Sequence, residues 1–130
     1  MEREWSSSWK SSNQPRKQRK YRHNAPLHTK QKFVAVHLSK ELRKKYQRRS
    51  LTARKGDVVK ILRGQFSGKT GKVLKVDLKK SRLHIEGIEN IKKDGTKKPY
   101  PLQPSNLVIT ELNLDDKLRQ EKLEAKKKEK

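Results

Sequence analysis

The chain has 130 residues, 38% of them charged and only 29% hydrophobic, with 36 lysines and arginines against 14 acids for a net charge of +22. That balance leaves room for one small core with basic tails, and self-repulsion of this size opposes compaction unless a polyanion neutralises it, so nucleic acid is the expected partner. No long apolar run, signal peptide or basic helix with an aromatic face supports a membrane partner, and the absence of cysteine excludes a disulfide framework or thiolate metal site and fits a reducing interior.

Residues 1–30 carry almost no aliphatic side chains and are dominated by Ser, Arg, Lys, Gln and Asn. Such a segment cannot bury enough surface to offset its ordering entropy, so it is expected to be a basic arm, disordered when free. Within it Arg16, Lys17, Arg19, Lys20, Arg22 and His23 form a dense cluster suited to neutralising phosphates along an RNA groove. Trp5 and Trp9 stand out in so unfoldable a stretch, and two readings are open: stacking on bases or a protein neighbour, or no role. Asn24-Ala25-Pro26 closes the arm, because a residue before proline is pushed out of the helical region.

Residues 31–54 read as a short helix and a basic linker. Ser39 is a good N-cap, no helix breaker follows it, and the last turn is cationic, which predicts a helix from about Ser39 to Gln47. Leu42 and Tyr46 share one face, leaving Arg43, Lys44 and Lys45 outward beside Arg48, Arg49 and Arg54. Glu41 is the one acid near these six cations, so an external anion is the better partner. Lys30, Lys32 and Lys40 complete the candidate cations of this half.

Residues 55–112 hold all six glycines and most of the branched aliphatics, and form the folded domain. Two β-rich runs, Val58 to Leu62 and Lys72 to Leu78, flank a loop with Lys69 at its tip, in which Gly64, Gly68 and Gly71 are the expected turn glycines. The string GQFSGKT is like a phosphate-binding P-loop, but three residues separate Gly64 from Gly68 where that motif needs four, and a β-branched run rather than a helix follows. Nucleotide hydrolysis is excluded on both counts. Leu74, Val76 and Leu78 alternate with polar residues, as do Leu83 and Ile85, with Lys79-Lys80-Ser81 as the connecting turn. Ile88 and Ile91 continue the pattern to Asp94-Gly95, a hairpin-turn dipeptide; Pro99, Pro101 and Pro104 then forbid a long central strand, and Leu107 to Leu112 is the last one. Short strands joined by tight turns with no covering helix predict a mainly β fold, a small curled antiparallel barrel.

Residues 113–130 turn helical, with Asp115 and Asp116 near the start and Lys126, Lys127 and Lys128 near the end, both matching the helix dipole. Asp115 with Arg119 and Glu124 with Lys128 are spaced for one-turn ion pairs, and with few apolar positions the helix is expected to face solvent.

Catalytic chemistry finds no support. His23, His28, His37 and His84 are scattered without zinc-ligand spacing, Asp57 and Asp77 sit among lysines where turn formation or local pairing is the ordinary explanation, and no nucleophile stands with a base. No cofactor, metal site or small-molecule substrate is expected; magnesium would enter only with RNA, whose phosphates would supply most of its ligands.

The segment Gly56-Asp57-Val58-Val59-Lys60-Ile61-Leu62-Arg63-Gly64, continuing to Gly68-Lys69-Thr70-Gly71-Lys72-Val73, resembles the KOW motif of nucleic-acid-binding proteins. Its flanks are more specific: His23-Asn24-Ala25-Pro26, Leu38 to Tyr46 with Arg49-Ser50, and Pro104 to Asp115 resemble, in order and spacing, the large-subunit ribosomal protein twenty-four family in its archaeal and eukaryotic branch, called protein twenty-six in eukaryotes. The resemblance implies an SH3-like barrel with basic extensions, bound to large-subunit rRNA beside neighbouring ribosomal proteins, acting early in subunit assembly near the polypeptide exit, in the cytoplasm. Carried over by position, the implied rRNA contacts are Arg22, His23, Asn24, Lys40, Arg43, Lys44, Lys45, Arg49, Ser50, Arg63, Lys69 and Lys72. Residues 1–12 match nothing in the family pattern. The alternative is a KOW module of a transcription elongation complex acting as a nucleic-acid adaptor.

Overall fold

Period-two burial along short β-branched runs marks the main sheet of the computed structural model, which describes residues 5, 6 and 12–128 and, within them, side chains as far as Ala125. A helix α1 (Pro15–Asn24) and a single turn α2 (Leu27–Lys30) lead through a 3-10 turn (Gln31–Val34) into β1 (Ala35–Leu38), α3 (Lys40–Tyr46) and β2 (Ser50–Thr52). There follow β3 (Val58–Ile61), β4 (Thr70–Asp77), β5 (Arg82–Ile85), the hairpin β6 (Glu89–Ile91) and β7 (Lys97–Pro99), a 3-10 turn (Pro104–Asn106), β8 (Leu107–Glu111) and α4 (Lys117–Lys128).

Six strands form one sheet in the order β2-β1-β8-β3-β4-β5, and β6 and β7 pair separately. The sheet begins before Lys55, since β1 and β2 come from the segment read as helix and linker. Both are too short for their alternation to stand out. Every pair is antiparallel except β1 with β8, which run parallel through His37 opposite Val108 and Leu38 opposite Ile109, so the expected all-antiparallel barrel is corrected to a mixed sheet. Parallel pairing needs a long crossover, and here the whole run from α3 to β7 supplies it.

Long strand β4 serves two neighbours: Thr70 to Lys72 pair with β3 and Val73 to Asp77 with β5, and the sheet turns there into a barrel-like curve. A register shift between Val73 and Lys75 marks a bulge at Leu74. The extra residue reverses the phase of alternation, so Val73 is buried before it and Val76 is half-buried after it. Leu74, expected inside, is 46% exposed. Ile91 is likewise out at 72%, because the β6–β7 hairpin leaves the core after Ile88.

The core gathers Val36, Leu38, Val59, Ile61, Val73, Leu83, Ile85, Ile88, Leu107 and Ile109, all essentially inaccessible. Leu38, Ile109, Val59 and Gly71 form one inward row by register. At its end a Cβ on Gly71 would lie 2.7 Å from the Glu86 carbonyl oxygen and 2.8 Å from Ile85 Cγ2. Gly71 is therefore a packing glycine inside β4, not the turn glycine expected; Gly64 (φ +99°) and Gly68 (φ +89°) do sit in left-handed turns.

Helix α3 keeps its predicted cap: the Ser39 hydroxyl accepts from Leu42 N, and Gln47 ends the helix in the left-handed region with its N–H on Arg43 O. Tyr46 is buried and Leu42 packs against the core. Helix α4 departs from its expectation of a solvent-facing rod. Leu123 is fully buried and Arg119 is 5% exposed, paired with Asp57 (0% exposed) rather than with Asp115. The expected Glu124–Lys128 pair and the position of Trp9 lie outside the described residues.

Candidate nucleic-acid interface

The outward side chains of the sheet form a continuous row. Ser50 pairs with His37, His37 with Val108, Val108 with Lys60 and Lys60 with Thr70, so one residue from each of five neighbouring strands shares the solvent face. Lys72, opposite Val58 and one step along β4, lies on the same face. Arg43 joins the row from α3: its Nε donates to Leu38 O at 2.9 Å and its Nη2 lies 3.3 Å from His37 Nδ1. This guanidinium is held in place by the protein before any partner arrives.

Beyond the row lies the β3–β4 loop, pinned by Phe66, which is buried and meets Tyr100 edge-on with ring centroids 5.1 Å apart. The Ser67 hydroxyl donates to Leu62 O at 2.9 Å and Gly68 N to Ile61 O at 2.8 Å. Arg63 and Lys69 are exposed, and the Lys69 ammonium stands 5.2 Å from the Phe66 ring centroid. A loop fixed at its root in this way presents its cations and its two backbone-open glycines at defined positions.

The other sequence candidates divide into three groups. On α1, Arg16, Lys17, Arg19, Lys20, Arg22, His23 and Asn24 are all exposed, as are Lys32 before β1, Lys40, Lys44 and Lys45 on α3, and Arg49. Lys45 is 5.2 Å from the centroid of the Tyr46 ring. A second group is engaged within the protein: Arg54 pairs with Asp116, and Arg48 Nη1 donates to Lys122 O at 3.3 Å. Lys30 stands apart as a buried residue whose ammonium donates to Lys79 O at 3.3 Å, tying the end of α2 to the β4–β5 turn. That bond directs its charge inward, away from any external phosphate.

Sequence reasoning missed His37, Lys60 and Thr70, and the four exposed lysines of the β6–β7 hairpin, Lys92, Lys93, Lys97 and Lys98. The signal for the first two was present, since each lies between two inward aliphatic residues and period two turns it outward. Among the described residues no group of three His, Cys, Asp or Glu side chains could hold a metal ion, and no helix is long and apolar enough to cross a membrane.

A small mixed β-sheet with a cationic solvent face, a pinned glycine loop and basic helical extensions has the charge layout by which nucleic-acid-binding modules are recognised. The family of ribosomal proteins described as L26 in eukaryotes and L24 in archaea matches residues 12–126, and the chain belongs to it. Curated relatives called large ribosomal subunit protein uL24 are 52% identical over 109 residues in Methanothrix thermoacetophila (84% of this chain, 94% of the relative). They are 54% identical over 112 residues in Methanoculleus marisnigri (86% and 93%), and 50% over 115 residues in Methanosphaera stadtmanae (88% and 98%).

Proposed function

We propose that this chain is a non-catalytic structural constituent of the large ribosomal subunit in the cytoplasm, binding rRNA through its sheet face and basic extensions. Likeness to uL24 relatives across nearly their whole length carries the reading. The β3–β4 unit is read as a KOW hairpin on an SH3-like barrel, supported by the Gly64 and Gly68 turns and by the strand that follows them. Its contacts are Arg43, Ser50, Lys60, Lys72, Arg63 and Lys69 on the barrel; Lys40, Lys44, Lys45 and Arg49 around α3; and Arg16, Lys17, Arg19, Lys20, Arg22, His23 and Asn24 on α1. Lys32 is an outlying contact; Lys30, Arg48 and Arg54 serve the fold first. Neighbouring ribosomal proteins, an early role in assembly and a place near the polypeptide exit complete the proposal.

The physical division of labour is between register and holding. Arg43, the row and the pinned loop are rigid and set register; residues 1–54, with 16 Lys and Arg against 3 acids, supply most of the net charge that holds the chain to RNA. A family match that extends well beyond the hairpin weighs against a transcription adaptor, which would share the hairpin alone. Co-sedimentation with large subunits through a salt series tests the reading: the chain should stay bound at salt that strips a non-specific polycation, and release at modest salt overturns it.

A further inference from the structure

Helix α1 is a cationic element with an unusual partner. Proline at its first position fixes the entry, its Gln14 cap makes no side-chain bond, and none of its residues is buried. Ten residues with so little packing and so many like charges would not hold a helix in water by propensity alone. Its contacts with the described residues Trp5 and Ser12 lie on one side. Trp5 stacks at 5.0 Å between ring centroids on Tyr21, tilted by 37°, and its indole Nε1 donates to Tyr21 O at 3.1 Å. Gln18 Nε2 donates to Ser12 O at 2.6 Å. Gln18 and Tyr21, three apart, are both half-buried, so Trp5 and Ser12 lie over the face they share.

That face is the one the charges leave open. At 3.6 residues per turn Arg16, Lys17, Arg19, Lys20, Arg22 and His23 spread over roughly 220° of the circumference, and Gln18 and Tyr21 fill the remaining sector. The contacts to Ser12 and Trp5 therefore support the helix without covering a cation. The carbonyl that Trp5 caps lies in the last turn, where helix carbonyls have no partner within the helix. Trp5 also lies before residue 12, where the family match begins.

We propose that Trp5 acts as a staple on the uncharged face of α1, so that the helix is preformed and presents cations to phosphates on both walls of an RNA groove. The expectation of an arm disordered throughout is thereby replaced for this stretch. Trp5 is spent on Tyr21 rather than on a base, and the staple lowers the ordering cost of binding instead of adding a contact. The base of α1 is fixed by buried Ala25 and by Lys30, so the preformed helix leaves the domain from a set position.

This inference rests on the rRNA reading for its partner but not for its first test. Hydrogen exchange of the free full-length chain, compared with Trp5→Ala and Trp5→Phe, should show amides of residues 19–24 slowed in the parent, fully exchanged in Trp5→Ala and intermediate in Trp5→Phe, which keeps a ring and loses the donor. Equal exchange in all three overturns the staple. Large-subunit rRNA transcript is the second probe: Trp5→Ala should bind about tenfold more weakly, by loss of preorganisation, with an unchanged salt slope because no phosphate contact is removed. A reduced slope would mean that Trp5 positions charges directly, and unchanged affinity would mean that preformation does not matter; either overturns the binding half. Failure of the parent chain to prefer this RNA over a random transcript would instead remove the rRNA reading and leave the exchange result standing.

Discussion

Asp57 and Arg119, 62 residues apart, form a bidentate pair at 2.6 and 2.7 Å with neither side chain meaningfully exposed. Asp57 also accepts from Arg54 N at 3.0 Å and Asn113 N at 2.8 Å, and Arg119 donates to Asn113 O at 2.8 Å and Thr52 O at 3.2 Å. This one ion pair thus joins the end of β2, the turn before β3, the exit of β8 and helix α4. Buried charge is tolerable only when its lone pairs and protons are satisfied, as they are here.

Removing either partner strands the other. Asp57→Ala and Arg119→Ala should each lower stability by about 3–5 kcal/mol in denaturant unfolding. The double replacement should cost clearly less than the sum of the two, and additive losses would contradict a direct pair.

Gly71→Ala should destabilise by about 1–3 kcal/mol, because the added methyl meets the Glu86 backbone at 2.7 Å and cannot rotate away. Gly64→Ala has open space around it and should cost about 1–2 kcal/mol through backbone strain alone. Thermal unfolding of the two separates packing from conformation if Ala is then replaced by Asn, which is larger but tolerates the left-handed region: the loss should grow at residue 71 and shrink at residue 64.

Leu123→Ala should cost about 2–5 kcal/mol, while Leu118→Ala, 68% exposed on the same helix, should be nearly silent. Equal small effects in urea melts would return α4 to the solvent-facing rod that its composition suggests.

On the RNA side, Lys60→Ala and Lys69→Ala should each weaken rRNA binding and reduce the salt slope by about 1, as expected for one phosphate contact each. Arg43→Lys should do more than a charge count allows, since lysine cannot reproduce the bonds to Leu38 O and His37 that fix the guanidinium. Alanine at Arg22, Arg43 and Arg49 should likewise hurt more than alanine at nearby lysines. Filter binding across ionic strength measures all of these, and equal Lys and Arg losses would mean that only net charge matters.

Asp94 offers a pH handle on the β6–β7 turn. The Thr96 backbone N–H, donating to Asp94 Oδ1 at 3.0 Å, holds this exposed carboxyl below the usual carboxylate range, with the Thr96 side chain adding to the effect. The folded turn therefore favours the charged form: its contribution is present above the ordinary Asp range and is lost as pH falls through the lowered value. NMR titration of the Thr96 amide should report that midpoint, and Asp94→Asn should abolish the titration.

Local chemistry made much of this fold legible. The Ser39 cap, the β3–β4 hairpin, the Asp94-Gly95 turn and the final strand are each specified by neighbours in sequence, and the structure has them within a residue or two of the expected bounds. Long-range decisions were not legible. Arg119 reads as the partner of Asp115 on helix spacing, yet burial against a residue far away in the chain outweighs an exposed one-turn pair. Leu74 follows a perfect alternation that one bulge inverts, and β1 is four residues whose strand identity depends on its neighbours β2 and β8. For the interface, the charged extensions were plain from composition, but the row through His37 and Lys60 required knowing which strands are neighbours.

The parallel pairing of β1 with β8 also carries a consequence for synthesis. β1 is made early and β8 late, and Arg119 later still. Until then the first strands have an unsatisfied edge and Asp57 lacks its counter-charge. Closure of the core is thus deferred until β8 and α4 have been made, while the basic residues before β1 are already exposed.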